Sequence, residues 1–225
     1  MQIGLIGGIG PAATDYYYRR LVTAFASRNE PLEMTVAHAD TPTLLSNLER
    51  NDIDAQVDIY NRLTERLVSA GAGCVVVTSI SGHFCIEAFK ETSPLHVIDM
   101  LAEVDAAVGS RNLKRVGILG TRTVMETGFY AGLGSAEVVA PEGETLAQVH
   151  EAYVSMATAG HVTDDQRRVF DSACAWFLNI AGVEAIVLGG TDLALVYEEG
   201  RTHFPIVDCA DIHVDSIVRY ATTHT

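Results

Sequence analysis

The stretch Ala70-Gly71-Ala72-Gly73-Cys74-Val75-Val76-Val77-Thr78-Ser79 has a counterpart further along the chain, Ile180-Ala181-Gly182-Val183-Glu184-Ala185-Ile186-Val187-Leu188-Gly189-Gly190. In both, a helical pattern stops near a glycine, an apolar run follows, and the run ends in small or hydroxylic residues. An apolar run too short for a helix and lacking polar alternation suits a strand covered on both faces, and hence a parallel sheet. Similar runs lie at 3–6, 34–37, 74–77, 96–98, 116–119, 137–139, 185–188 and 206–207. Helical patterns fall between them at 12–27, 54–70, 86–92, 100–110, 125–132, 145–159, 164–181 and 212–222. Strand alternating with helix predicts an α/β fold with right-handed crossovers.

The order of signals also repeats. Ile3-Gly4-Leu5-Ile6-Gly7-Gly8-Ile9-Gly10 opens the first half and Val116-Gly117-Ile118-Leu119-Gly120-Thr121 the second, each a strand leading through glycine into a helix. The expectation is two pseudo-symmetric lobes, each a parallel-rich sheet flanked by helices, with a cleft between them. Residues 1–97 with 207–225 would form the first lobe and 98–206 the second. Because open α/β sheets bind ligands at the carboxyl ends of their strands, four loops become candidates: Gly7–Thr14, Thr78–His83, Gly120–Thr127 and Gly189–Asp192.

Bulk properties narrow the function. A chain of 225 residues that is 48% apolar can bury one large core or two small ones. Its formal charge of −14 argues against a nucleic-acid partner, which needs basic surface. The four cysteines, Cys74, Cys85, Cys174 and Cys209, show neither CxxC nor Cys/His metal spacing, which fits a reduced compartment better than a disulfide scaffold. No apolar run is long enough to cross a membrane and the N-terminus lacks a basic leader, so the expected location is cytoplasmic, without a membrane partner.

Each loop admits a chemical and a bland reading. The turn from Gly7 to Thr14 can present backbone N–H groups to a carboxylate or phosphate at a helix start, or can simply join strand to helix. It is not a dinucleotide fingerprint in register, because Ala13 stands where a third glycine belongs and no acidic residue ends the following strand. In Gly120–Thr127, Thr121 and Thr123 can hold a carboxylate, with Arg122 adding charge, or one of them can cap the next helix. His83 can act as a general acid or base or can be a satisfied structural histidine. His38, His96, His161, His203 and His224 show no metal-ligand spacing, and His213 follows an apparent helix cap at Asp211. On the helix at 54–70, Val57, Tyr60, Leu63 and Leu67 share one face, read as core.

Together, IGLIGGIGPAAT with the following YYYR, the SISGH loop, GILGTRTVMETGFY, the LGGTD turn and the closing FPIVD with ADIH resemble the aspartate/glutamate racemase superfamily, nearest its amino-acid racemase branch. The resemblance spans nearly the whole chain. It implies two pseudo-symmetric lobes, dimers, no cofactor and no metal, and a two-base racemisation. One thiol lies in a CNT-H loop and a second in a GCTE turn, on opposite faces of the substrate Cα. Inversion needs an acid and a base on opposite sides, and thiols titrate near neutrality.

Carried onto this chain, the first motif falls on Ser79-Ile80-Ser81-Gly82-His83 and the second on Gly189-Gly190-Thr191-Asp192. Ser79 replaces the first thiol, Ile80 replaces an asparagine, and Gly190 replaces the second thiol. The resemblance makes Ser79, His83 and Thr191 the candidate catalytic groups. It makes Gly8, Gly10, Ser81, Gly82, Thr121, Thr123, Gly190 and Asp192 the candidate substrate-binding positions. The loop Asp40–Ser46, where some racemases of the branch place an arginine for a distal carboxylate, has none before Arg50.

Three functions follow. The first is a family member that binds a small carboxylic or amino acid but does not racemise by two thiols, for example a decarboxylase or lyase. The second is a racemase with a substituted acid/base pair. The third is a ligand-binding protein without catalysis.

Overall fold

The computed structural model describes residues 1–9, 11–128, 133–197 and 202–224, with the Pro11 side chain excluded. The chain divides into two compact units, Met1–Met100 with His213–Thr225, and Leu101–Ile212.

The first unit holds a four-stranded, all-parallel sheet in the order β2-β1-β3-β4. Its strands are β1 (Gln2–Gly7), β2 (Met34–His38), β3 (Ala72–Val77) and β4 (His96–Val97). The second unit repeats that order as β6-β5-β7-β8, again all parallel. Its strands are β5 (Arg115–Gly120), β6 (Glu137–Val139), β7 (Ala185–Gly189) and β8 (Ile206–Asp208). The two parallel sheets flanked by helices are the expected α/β architecture.

In each sheet the strand order reverses direction between the two central strands, β1 and β3 in one and β5 and β7 in the other. Helices leaving such strands on opposite faces open a crevice at their carboxyl ends. The loops after Gly7 and Val77, and those after Gly120 and Gly189, therefore meet in pairs.

The helices bury the stripes their sequences offer. On α1 (Pro11–Arg28), Ala13, Tyr17, Leu21 and Phe25 repeat at four-residue spacing and are all buried. Val57, Tyr60, Leu63 and Leu67 on α3 (Ile53–Ser69) are likewise buried, as their spacing predicts. The flanking set also includes α4 (Ile86–Thr92), α5 (Met100–Ser110), α7 (Gly143–Ala159) and α8 (Asp164–Asn179). No helix among the described residues is long and apolar enough to cross a membrane.

Three helices depart from the sequence reading by more than a residue or two at a boundary. Residues read as a loop after Asp40 form helix α2 (Thr41–Arg50), because the Asp40 carboxylate accepts from Thr43 N at 3.0 Å and Pro42 suits the first turn. The helix expected at 125–132 begins earlier, as α6 (Arg122–Glu126), because the Thr121 hydroxyl accepts from Val124 N at 3.4 Å; residues 129–132 lie outside the described residues. The last helix, α9 (Cys209–Thr223), is capped by Asp208 rather than Asp211: Asp208 Oδ1 accepts from Ala210 N at 2.9 Å and Asp211 N at 3.2 Å.

Candidate functional site

The two halves end their equivalent central strands in the same local geometry. After β3, Ser79 is extended and leads into a 3₁₀ turn over Ile80–Cys85; after β7, Gly190 is extended and leads into a 3₁₀ turn over Thr191–Leu195. In both, the amide three residues on closes the turn: Gly82 N donates to Ser79 O at 3.1 Å, and Leu193 N donates to Gly190 O at 3.0 Å. Ser79 and Gly190 are thus equivalent positions, one with a hydroxyl and one without a side chain.

Around Ser79 the first unit gathers hydroxyls. Thr14 Oγ1 and Thr78 Oγ1 lie 3.0 Å apart where β1 and β3 end, and Thr78 Oγ1 donates to Ile6 O at 3.2 Å. The Gly8 carbonyl accepts from Thr41 Oγ1. Ser81 is half-buried, and Gly10 lies outside the described residues. Gly82 is obligatory for space, since a Cβ there would lie 2.8 Å from Val77 Cγ1 and against the Tyr60 hydroxyl, which donates to Gly82 O at 3.2 Å.

The imidazole of His83 does not meet the Ser79 hydroxyl. Its Nδ1 lies 2.8 Å from the Ser79 carbonyl oxygen, so that nitrogen carries the proton and Nε2 keeps a lone pair. Nε2 is buried and has no hydrogen-bond partner among the described residues. Burial pushes the His83 pKa below its ordinary value, against the opposing pull of Asp99. Asp99 is itself buried and paired with Lys90 Nζ at 2.8 Å.

His213 packs beneath this group. Its Nε2 donates to Ile98 O at 2.8 Å, and its Nδ1 accepts from the Tyr17 hydroxyl at 2.8 Å. Its ring stands edge-on to His83, with centroids 5.9 Å apart. Burial, reinforced by the neighbouring His83, pushes its pKa down to about 3. Both rings are therefore neutral near pH 7.

In the second unit the space beside Gly190 is filled. A Cβ there would lie 2.5 Å from Tyr153 Cε2 and 2.6 Å from Cζ, so the phenol ring on α7 covers the place where a side chain would project. The Tyr153 hydroxyl donates to Asp192 Oδ2 at 3.0 Å. Burial, then the Asp192 charge, pushes the phenol pKa well up. Burial also raises Asp192, with the Tyr153 bond opposing it. Thr191 is buried at the start of the turn, next to this pair.

Other candidates are committed elsewhere. Thr121 spends its hydroxyl as the α6 cap, and Thr123 is exposed on that helix. Arg122 pairs with Glu126 at 3.1 Å. Arg50 is tied to Asn47 Oδ1 at 2.9 Å at the end of α2. No cysteine is poised for thiolate chemistry: burial pushes the thiol up to about 11 for Cys74, to about 12 for Cys85 and Cys174, and well up for Cys209.

Sequence reading missed Tyr60, Tyr153 and the Lys90–Asp99 pair. The tyrosines sit at apolar stripe positions on α3 and α7, where a core residue and a site residue look alike. The unusual glycines opposite them were the available signal.

A model of the family described as Asp/Glu/Hydantoin racemase matches residues 6–217. Among solved structures, the chain resembles a candidate Asp/Glu racemase from Yersinia pestis at TM-score 0.86 and 22% identity, covering 98% of this chain and 99% of that one. It resembles an aspartate racemase homologue from Pyrococcus horikoshii at TM-score 0.84 and 22% identity, with 98% and 99% coverage. A glutamate racemase from Francisella tularensis in complex with D-glutamate matches at TM-score 0.66 and 16% identity, over 99% of this chain and 81% of that one.

Proposed function

Since the chain belongs to the Asp/Glu/Hydantoin racemase family, we propose that it binds a small carboxylic or amino acid at the carboxyl ends of its parallel strands and acts on it by chemistry other than two-thiol racemisation. The observation that carries this reading is the pair of equivalent strand ends occupied by Ser79 and Gly190, the latter covered by the Tyr153 ring. Thiol catalysis needs a thiolate at each place. Here neither position has sulfur, and every cysteine elsewhere is buried with its thiol pushed up.

The groups around Ser79 suit a carboxylate. The Ser79 hydroxyl, which caps no helix, can donate to it beside the Thr14–Thr78 pair, and no lysine or arginine is needed for a single carboxylate so held. His83, fixed as the Nδ1–H tautomer by the Ser79 carbonyl, offers an Nε2 lone pair as a base. A base beside Ser79 and no thiol at either strand end suits reactions that move a proton once, such as decarboxylation or lyase chemistry. With Arg50 tied down at the end of α2 and Ile80 beside Ser79, a short acid or one with an apolar end fits better than aspartate or glutamate.

The test is proton exchange in D₂O against a panel including malonate, L-alanine, L-aspartate and L-glutamate, run beside a thermal-shift screen of the same acids. The expected result is deuterium in a product, without interconversion of enantiomers, from an acid that also raises the melting temperature. Racemisation of any panel amino acid at an ordinary enzymic rate would overturn the altered-chemistry reading. A melting-temperature rise without any turnover would assign a binding role instead.

A further inference from the structure

In the second unit the space where a side chain at position 190 would project holds a proton-bearing group from another element. Tyr153 comes from α7, not from the strand-end turn, and its ring lies so close to Gly190 that any side chain there would displace it. Its hydroxyl is oriented by Asp192 Oδ2 at 3.0 Å, and Asp192 belongs to the same turn as Gly190 and is partly open to solvent. The glycine and the tyrosine form one arrangement, because only a residue without a side chain leaves room for the phenol.

We propose that the Tyr153 phenol is the proton donor of the second lobe, replacing the missing side chain at position 190 and oriented by Asp192. This deepens the function proposed above and rests on it. In the step, the phenolic O–H turns from Asp192 Oδ2 towards the substrate, and the electron pair left on the substrate carbon by loss of a proton or of carbon dioxide takes its proton. The O–H bond breaks, a C–H bond forms, and the phenolate recovers a proton from solvent by way of the Asp192 carboxylate. Burial and the adjacent Asp192 charge keep the resting phenol protonated across the neutral range, so Tyr153 enters the reaction carrying its proton. A group that starts protonated suits a reaction that delivers one proton to one face.

Tyr153→Phe tests this, since phenylalanine keeps the ring that fills the space at Gly190 and removes only the proton. Protein labelled with ¹³Cζ-tyrosine is titrated with malonate, L-alanine and L-aspartate, and the Tyr153 resonance is assigned by its absence from the variant. An acid that raises the melting temperature is expected to move that resonance. Tyr153→Phe is expected to keep the thermal shift while losing deuterium incorporation by about a hundredfold or more. A thermal shift that leaves the Tyr153 resonance in place, or a variant that still incorporates deuterium at the wild-type rate, overturns the donor assignment and leaves the ligand-binding reading standing. If no acid produces a thermal shift or exchange, the function proposed above fails and this assignment falls with it.

Discussion

Gly190 and His213 illustrate how single residues carry opposite kinds of information. Gly190 matters for what cannot be added to it. Gly190→Ala drives a Cβ into the Tyr153 ring, which is buried and held by Asp192. Overpacking of this kind costs about 1–3 kcal/mol, so the urea midpoint should fall, and Tyr153→Ala in the same chain should recover part of the loss. An unchanged midpoint for Gly190→Ala would mean that the ring moves aside freely. His213 matters for the proton it refuses. Its folded value is depressed to about 3 from the ordinary 6.5, first by burial and then by His83, with the Ile98 carbonyl and Asp99 opposing. Above about pH 6.5 both folded and unfolded chains leave it neutral, and its contribution to stability is complete. As pH falls below that value the unfolded chain binds a proton that the folded chain excludes, so stability declines towards about pH 3. His83, depressed in the same direction, adds to the decline. Stability measured by urea unfolding from pH 7.5 to 4.5 should therefore drop, and His213→Asn should flatten the slope. A variant with the wild-type slope would rule out this histidine as its source.

At the scale of elements, the helices were most readable where local chemistry decided them. Helix α8 opens on a capping box, with Thr163 Oγ1 accepting from Gln166 N at 3.3 Å and Gln166 Oε1 accepting from Thr163 N at 2.8 Å. Thr163→Ala should cost about 1 kcal/mol in a thermal melt, and Thr163→Ser much less; equal losses would show that the hydroxyl is not what matters. Asp40-Thr41-Pro42 carries the same kind of signal for α2, followed by Leu44, Leu45 and Leu48, of which Leu44 is buried. Helix α9 was placed one cap too late for a related reason. Asp208 and Asp211 both suit a cap, and only the backbone path out of β8 selects Asp208. The strands were legible because their apolar runs are uninterrupted, a consequence of burial on both faces.

At the scale of the molecule, the repeat is what the strands build: β2-β1-β3-β4 and β6-β5-β7-β8 are the same order. That equivalence aligns Ser79 with Gly190, two matching strand ends of which neither carries a cysteine. Burial also leaves the four thiols inert in the folded chain. Iodoacetamide at pH 7.5 should leave all four cysteines unmodified in the native protein and alkylate all of them in urea, read by mass. Rapid native labelling of Cys85 or Cys209 would restore thiol chemistry as a possibility. The α/β class, the internal repeat and the strand-end loops were legible in the sequence, because burial pattern and turn chemistry are local or periodic and are written in neighbouring residues. That His83 faces the Ser79 carbonyl and not its hydroxyl, and that Tyr153 occupies the space at Gly190, came from three-dimensional packing alone. Those contacts depend on how a turn and a helix approach one another, and a tyrosine in an apolar stripe does not reveal which backbone its ring will cover.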